Sequence, residues 1–302
     1  KIIPDLKSIT QPNLMAFGNI RYKGSFTGYF KDFVTFGNLD TKIGNLKTDL
    51  HLKIPSGSVP GYSGSVSTSN FNLGKFIGNS DIGLVAFDGK IEGKGFEQKD
   101  MDIGINGAIH KLNYRGYNYT NAIVHGDIKV DVFSGTGSIN DPNIRIDTLE
   151  GTINFSKEKP FFNFDAEILT LNLKPLGLTN DDISLTGLLD FNFKGSNIDN
   201  FQGFARITDA ILLDNGRPLS FDSLTVASSE YEGRKILTLS TNELEASING
   251  NFRIMELPTA FQLFLNRYYP AYIKKPAGKI ENQDFSFMIH TRSVSAFTNL
   301  FN

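Results

Sequence analysis

The sequence of 302 residues predicts an all-β fold: a long, curved antiparallel sheet with an apolar inner face and very little helix. Apolar and polar residues alternate from about residue 20 to residue 255, which is typical of strands with one apolar and one polar face. The 26 Phe, 10 Tyr and 29 Gly favour strands over helices. Glycines recur in phase with the apolar positions, and such glycines favour a sheet that bends sharply toward its apolar face.

The predicted strands follow one another along the chain and share a period of two residues. Their in-phase positions are Leu46, Leu50, Leu52 and Ile54; Val85, Phe87, Gly89 and Ile91; Met101, Ile103, Ile105, Gly107 and Ile109; Ile128, Val130 and Val132; Phe162, Phe164, Ala166 and Ile168; Ile183, Leu185, Gly187, Leu189, Phe191 and Phe193; and Leu244, Ala246, Ile248, Gly250, Phe252 and Ile254. Turn residues such as Asp141-Pro142-Asn143 and Asn215-Gly216 separate these segments.

One short helix is predicted at residues 257–269, where Pro258 stands in the first turn and Pro270 follows the last residue. No apolar run is long enough to cross a membrane as a helix. The chain shows no signal-peptide pattern at its start, and it ends soon after a strand-like segment at residues 285–289. We therefore expect residues 1–302 to be one continuous segment cut from a longer chain.

An internal repeat is expected within this segment. Residues 71–78 (FNLGKFIG) resemble residues 171–177 (LNLKPLG), and each is followed by an alternating strand with a central glycine. The offsets between equivalent positions are 98 to 100 residues. The predicted boundaries are approximately 20–78 for a partial copy, then 79–177 and 178–275.

The composition argues against several classes of function. The net charge is −2 and the charges are dispersed, which argues against nucleic-acid binding and against a polybasic membrane patch. There is no cysteine, so a disulfide framework and a thiolate zinc site are excluded. The four histidines lack metal-ligand spacing, and the acidic pair Asp181-Asp182 precedes a strand as a solvated turn. No catalytic or phosphate-binding motif is present, so we expect neither an enzyme nor a cofactor.

A continuous apolar face must be covered by something, and three covers are possible. A second sheet would give a closed sandwich, stacked strands would give a solenoid, and a hydrophobic ligand would fill an open groove. Large and continuous inner-face residues favour the open groove with acyl chains as its ligand. The residues expected to line the groove are Phe87, Ile91, Ile103, Ile105, Val130, Phe164, Ile168, Leu189, Phe191, Leu239, Ile248 and Phe252.

Several segments share a sequence texture, meaning a recurring order of a strand, a glycine, a second strand and a Phe-Asn-Leu motif. These are GSFTGYFKDF at residues 24–33, YSGSVSTSNFNLGKFIG at 62–78, FDGKIEGKG at 87–95 and LTGLLDFNFKGSNIDNFQGFARITDAIL at 185–212. As a whole, the texture resembles that of the TamB family, part of the AsmA-like group of bridge-like lipid-transfer proteins. The high content of Lys, Asn, Ile and Phe is similar to that of a Bacteroidetes-type member. The resemblance covers roughly residues 20–270.

The resemblance implies a folded-over sheet, or β-taco, whose apolar β-groove carries phospholipid across the periplasm of a Gram-negative bacterium. It also implies an inner-membrane anchor that lies outside this segment, an outer-membrane barrel of the TamA type as partner, and a link to outer-membrane protein assembly. The residues alone leave rivals open. These are a chaperone-like module that holds outer-membrane strands by edge pairing, a closed sandwich or solenoid adhesin, and a jellyroll of the lipopolysaccharide-transport type.

Overall fold

The computed structural model describes residues 14–95, 98–154, 160–195, 199–277 and 283–292. Within these ranges the chain forms one antiparallel sheet of 16 strands, in which each strand pairs with its neighbours in sequence. The first and last strands do not pair with each other, so the sheet is open. The predicted all-β fold, a long curved antiparallel sheet with very little helix, is confirmed.

The strands are 8 to 15 residues long and are joined mostly by short connections. They are β1 (Arg21–Tyr29), β2 (Asp32–Thr41), β3 (Gly44–Lys53), β4 (Gly61–Asn72), β5 (Ile82–Lys94), β6 (Asp102–Tyr114), β7 (Tyr117–Lys129), β8 (Val132–Asn140), β9 (Ile144–Asn154), β10 (Phe161–Asn172), β11 (Ile183–Lys194), β12 (Gln202–Asp214), β13 (Arg217–Tyr231), β14 (Arg234–Thr241), β15 (Leu244–Asn251) and β16 (Asp284–Thr291). Helix α1 (Leu73–Ile77) follows β4, and helix α2 (Leu257–Tyr268) follows β15. Single 3₁₀ turns lie at Leu14–Phe17, Gln98–Asp100 and Ile254–Glu256.

Strand register places apolar residues opposite apolar residues on one face, which we call the inner face. Ile91 of β5 pairs with Ile105 of β6, and Phe164 of β10 pairs with Phe191 of β11. Residues one position away, such as Asn106, point to the outer face and are exposed. A register slip of one residue would exchange the two faces, so the alternation itself specifies the pairing.

The sheet is concave on its inner face, as shown by the space around its glycines. A Cβ atom built on Gly107 would lie 2.8 Å from the Cα of Gly89, and one built on Gly89 would lie 2.7 Å from the Cα of Gly107. On the outer face of the same strand, a Cβ on Gly104 would lie 3.6 Å from the nearest backbone atom. Since paired strands approach more closely on the inner side, the sheet bends toward that side, as the in-phase glycines predict.

The predicted strand through Ile128, Val130 and Val132 is wrong. Strand β7 ends at Lys129 and β8 begins at Val132, so a two-residue hairpin turn interrupts the alternation. Val130 occupies this turn with a positive φ of 55°, and its side chain is 41% exposed. Because the chain reverses here, Ile128 pairs across the sheet with Phe133 on the inner face, and Val132 points outward.

The predicted helix at residues 257–269 is confirmed as α2, while α1 is not anticipated by the sequence reasoning. The side chain of Asn72 accepts a hydrogen bond from the backbone N–H of Lys75 at 2.9 Å and caps the first turn of α1. Gly78, with a φ of 74°, ends the helix. The prediction that the alternation of β15 continues through Phe252 to Ile254 is wrong, because this strand ends at Asn251.

Strand positions recur along the chain. Strands β10 to β15 begin 100 to 102 residues after strands β4 to β9, respectively. The next strand, β16, departs from this period because residues 252–283, which include α2, come before it. The exact repeat boundaries stay a prediction.

Candidate functional site

The inner face is one continuous apolar surface that is only partly covered. The apolar side chains that are buried in the described ranges are few: Ile43, Phe71, Val85, Ala166, Ile168, Ile207, Ala210, Phe252 and Leu257. Most other inner-face residues are half-buried. A sandwich packs a second sheet against the first and buries both inner faces. Only one sheet is found in the described part of the chain, so the inner face forms an open groove.

Most residues predicted to line the groove lie on the inner face. They are Phe87 and Ile91 of β5, Ile103 and Ile105 of β6, Phe164 and Ile168 of β10, Leu189 and Phe191 of β11, Leu239 of β14, Ile248 of β15, and Phe252 directly after β15. Val130 is the exception, since it lies in the β7–β8 turn. The geometry therefore brings the predicted set together on one surface, while its role in binding stays a prediction.

A cluster of aromatic rings lies across β10 and β11 in the groove. The rings of Phe162 and Phe193 are stacked with centroids 4.8 Å apart, and those of Phe164 and Phe191 are 5.1 Å apart. Phe201, before β12, adds an edge contact to Phe193 at 6.1 Å. Sequence reasoning left Phe162 and Phe193 out of the lining set, although the alternation already places them in phase with Phe164 and Phe191.

Many further inner-face residues were also missed because small residues interrupt the alternation there. In β7 and β8, for example, Val124 pairs with Gly137, and Gly126 pairs with Gly135. Strand pairing assigns these positions to the inner face, which a short apolar run cannot do. The groove is therefore wider than the predicted residues alone indicate.

Short elements close the groove at parts of its rim. Near the first strands, Phe17 stacks on Phe76 of α1 at 5.4 Å, and both rings contact Phe71. At the last strand, Phe261 of α2 contacts the inner-face rings of Phe285 at 5.7 Å and Phe287 at 5.1 Å. These contacts shield the apolar surface locally and leave the centre of the groove open.

A buried carboxylate organises the rim between β7, β8 and β9. Asp141, 2% exposed, accepts hydrogen bonds from the Tyr117 hydroxyl, from the backbone N–H of Thr120 (3.0 Å) and its Oγ1 (2.7 Å), and from the backbone N–H of Asn143 (2.9 Å). Burial raises the pKa of Asp141, but the hydrogen bonds from Tyr117, Asn143 and Thr120 outweigh burial and hold it below its usual value. The sequence indicates only a turn here, because the donors other than Asn143 come from another strand, β7.

The opposite rim carries a tyrosine with a perturbed pKa. Tyr62 lies on the inner face of β4, and its hydroxyl donates a hydrogen bond to the carbonyl oxygen of Gly95 at 3.1 Å. Burial, assisted by the nearby negative charge of Asp102, raises the pKa of Tyr62 to about 12. The Tyr62 ring therefore contributes apolar surface to the groove while its hydroxyl stays neutral at the rim.

Groups that would carry chemistry are scattered. No cluster of His, Asp or Glu among the described residues has the geometry to hold a metal ion. His51 lies on the outer face of β3, where its Nε2 is 2.6 Å from Oδ1 of Asp32 in an exposed pair. Asp181 and Asp182 are exposed before β11, as predicted. Within the described ranges, no helix is both long and apolar enough to span a membrane.

Comparison with known proteins identifies no relative. No family model, no curated protein and no solved structure matches this chain. The resemblance to the TamB family therefore stays a prediction based on sequence texture, and the open groove is the feature from which a function is argued.

Proposed function

We propose that this chain holds phospholipid acyl chains in its groove, as a segment of a periplasmic bridge between the inner and outer membranes of a Gram-negative bacterium. The observation that carries the proposal is the continuous inner face, which is apolar across the sheet and covered by no second sheet in the described ranges. A large uncovered apolar surface on a protein usually marks a binding site. An outer-membrane barrel of the TamA type and an inner-membrane anchor elsewhere in a longer chain are the partners that we propose with it.

The dimensions of the sheet fit a bridge. Sixteen strands spaced about 4.8 Å apart give a surface roughly 70 Å long, measured across the strands. The hydrocarbon core of a bilayer is about 30 Å thick. The groove runs perpendicular to the strands, so this segment offers acyl chains an apolar path longer than a bilayer core is thick.

The inner face explains how a lipid would be held without being trapped. Burial of acyl chains contributes about 25 cal/mol for each Å² of apolar surface removed from water. Similar apolar residues recur from β5 to β15, so a lipid meets a similar environment at each step along the groove. Polar groups such as Asp141 and Tyr62 lie at the rims, where head groups would stay in water.

The experiment is native mass spectrometry with lipid extraction on the purified chain, repeated on one inner-face and one outer-face variant. Ile248→Asp places a charge in the groove, where burial of an unpaired charge is costly. Asn249→Asp adds the same charge on the exposed outer face of the same strand. We expect phospholipid to co-purify with the wild type and with Asn249→Asp, and to be lost from Ile248→Asp while circular dichroism shows an intact sheet. A folded wild-type chain free of lipid would overturn the proposal.

A second function is favoured by the edges of the sheet. Within the described part of the chain, strand β1 is exposed at all nine of its positions and pairs with β2 alone, and β16 pairs with β15 alone. Edge strands present free backbone groups that can pair with another extended chain. A chaperone-like module for outer-membrane strands would use these edges, and would bind an extended peptide equally well when Ile248→Asp has emptied the groove.

A further inference from the structure

The segment between β15 and β16 departs from the repeating strand pattern, and its first residues are hydrogen-bonded to neighbouring parts of the chain. The backbone N–H of Ile254 donates a hydrogen bond to Oδ1 of Asp199 at 2.6 Å. Lys235 Nζ donates to the carbonyl oxygen of Phe252 at 3.3 Å and lies 5.1 Å from the centre of its ring. Leu257 in the first turn of α2 is buried, and Phe261 one turn later contacts Phe285 and Phe287 of β16.

The second half of α2 presents apolar and aromatic side chains that nothing in the described part of the chain buries. Phe264 is 49% exposed, Tyr268 is 64% exposed, and Tyr272, beyond the helix, is 88% exposed. Leu265 and Tyr269 are exposed as well. Phe264 and Tyr268 lie one turn apart, with ring centroids separated by 5.1 Å, so they form one exposed stripe.

Hydrogen bonds order the residues that follow the helix. Gln262 donates through its side-chain amide to the carbonyl oxygen of Lys274 at 3.0 Å, and Asn266 donates to the carbonyl oxygen of Ile273. The backbone N–H of Ile273 in turn donates to the carbonyl oxygen of Tyr269 at 3.0 Å. The backbone therefore folds back along α2, which brings residues 272–275 beside the helix.

The same segment carries a local excess of positive charge. Residues 257–277 contain Arg267, Lys274 and Lys275 and no Asp or Glu, although the whole chain has a net charge of −2. All three cationic side chains are exposed. We call the exposed set formed by Phe264, Leu265, Arg267, Tyr268, Tyr269, Tyr272, Lys274 and Lys275 the aromatic–basic platform.

We infer that the aromatic–basic platform binds the surface of a bilayer that contains anionic lipid. Tyrosine side chains settle at the level of the lipid head groups, with the ring in the apolar region and the hydroxyl in water. Phenylalanine and leucine side chains enter the boundary between head groups and acyl chains. Each cationic side chain near an anionic surface adds attraction that falls with ionic strength. The local charge complements anionic head groups, and the adjacent aromatic stripe supplies the apolar contact that a purely electrostatic partner would not need.

The test is flotation of the 302-residue chain with vesicles of phosphatidylcholine alone and with vesicles of phosphatidylcholine and phosphatidylglycerol in equal parts. We expect binding to the mixed vesicles and much weaker binding to the neutral ones. The variant Lys274→Gln/Lys275→Gln should bind the mixed vesicles about 25-fold more weakly, or about fivefold for each cation removed. The variant Tyr268→Ser/Tyr272→Ser should lose binding at low and high salt alike, because it removes the apolar contact.

A matched control removes the same charge elsewhere. Lys47→Gln/Lys53→Gln changes two exposed lysines on the outer face of β3 and should leave vesicle binding unchanged. Equal loss of binding in this control would overturn the inference, because net charge and not the platform would then be responsible. Wild-type binding that is absent, or equally strong on neutral vesicles, would overturn it as well. So would self-association of the wild type that the tyrosine variant abolishes, since the platform would then bind a second copy.

The proposals for the platform and for the groove can be tested separately. Ile248→Asp should still bind mixed vesicles while it loses co-purified phospholipid, and the lysine variant should keep the phospholipid while it loses vesicle binding. Lipid-free wild-type protein that floats with anionic vesicles would refute the proposed function and leave the platform intact. Lipid-loaded protein that does not float would do the reverse.

Discussion

A methyl group added at Gly107 tests the curvature of the sheet directly. Gly107 lies on the inner face of β6, and a Cβ there would lie 2.6 Å from the carbonyl oxygen of Asp88, 2.7 Å from a ring carbon of Phe87 and 2.8 Å from the Cα of Gly89. The Phe87 ring can rotate away. The two backbone atoms belong to the paired strand β5 and cannot move without disturbing the hydrogen-bonded ladder.

The expected cost of Gly107→Ala follows from this crowding. Forcing an extra carbon into a well-packed site costs about 1–3 kcal/mol. In an open part of a strand, the same substitution would stabilise the fold by about 0.5–1 kcal/mol, because glycine loses more backbone entropy on folding. At Gly104, three residues earlier on the outer face, a Cβ would meet only the carboxylate of the exposed Asp127 at 3.3 Å, which can move, and the carbonyl oxygen of Glu92 at 3.6 Å. The free energies of unfolding of Gly104→Ala and Gly107→Ala should therefore differ by about 1.5–4 kcal/mol.

Urea unfolding followed by circular dichroism measures this difference, and hydrogen exchange at β5 and β6 locates it. Gly104→Ala should unfold at a urea concentration equal to or above that of the wild type, and Gly107→Ala clearly below it. Amide protection should fall first at the Gly89–Gly107 pair. If both variants are equally stable, paired strands do not converge at this position, and the concave face deduced from the glycines is refuted.

Three further predictions concern polar groups that are buried or partly buried in the sheet and its turns. Asp141→Asn should destabilise the fold by about 2–3 kcal/mol, because an amide N–H₂ would face hydrogen-bond donors. Since the pKa of Asp141 is lower in the folded than in the unfolded chain, wild-type stability should also fall as the pH drops below the unfolded pKa of 3.8. An acid unfolding curve that this variant leaves unchanged would contradict the lowered pKa of Asp141. Tyr62 has its folded pKa raised from 10.0 to about 12, so stability should decline as pH rises between these values. Tyr62→Phe should show a shallower decline, and equal slopes would show that this hydroxyl does not titrate as described. Ser228 is 4% exposed, and its Oγ has no hydrogen-bond partner among the described residues. Ser228→Ala should therefore raise the free energy of unfolding by about 1 kcal/mol. A loss of stability in thermal or urea unfolding would indicate that the hydroxyl has a partner.

Local alternation predicts the faces of most strands because a strand has a period of two residues whatever surrounds it. The same reasoning fails at Val130, since a two-residue hairpin turn reverses the chain without breaking the apolar–polar alternation. After the turn, inner positions carry odd numbers, beginning with Phe133, whereas Ile128 before it is even. A glycine or asparagine in the turn would have marked the hairpin, as Asn215-Gly216 does between β12 and β13.

Features that depend on distant partners lie beyond this kind of reasoning. Asp141 belongs to a turn that is recognisable in the sequence, but its donors Tyr117 and Thr120 belong to β7, more than 20 residues earlier. The in-phase glycines predict curvature because their missing side chain acts locally on the strand. The depth to which the groove is covered depends instead on where α1 and α2 pack, and no local pattern specifies that.

The aromatic–basic platform lies in the connection between β15 and β16, outside the hydrogen-bonded strands that form the groove. Residues 252–283 extend a hairpin connection at the rim, where a longer loop leaves the strand ladder intact. Strands β15 and β16 stay paired from Leu244 with Thr291 to Asn251 with Asp284. Phe252 and Phe261 of this connection contact inner-face rings, but the platform residues are exposed and lie outside the inner-face positions of the strands. Substitutions in the platform should therefore leave groove contents unaffected. This separation makes membrane-surface binding and lipid content independent measurements on one chain.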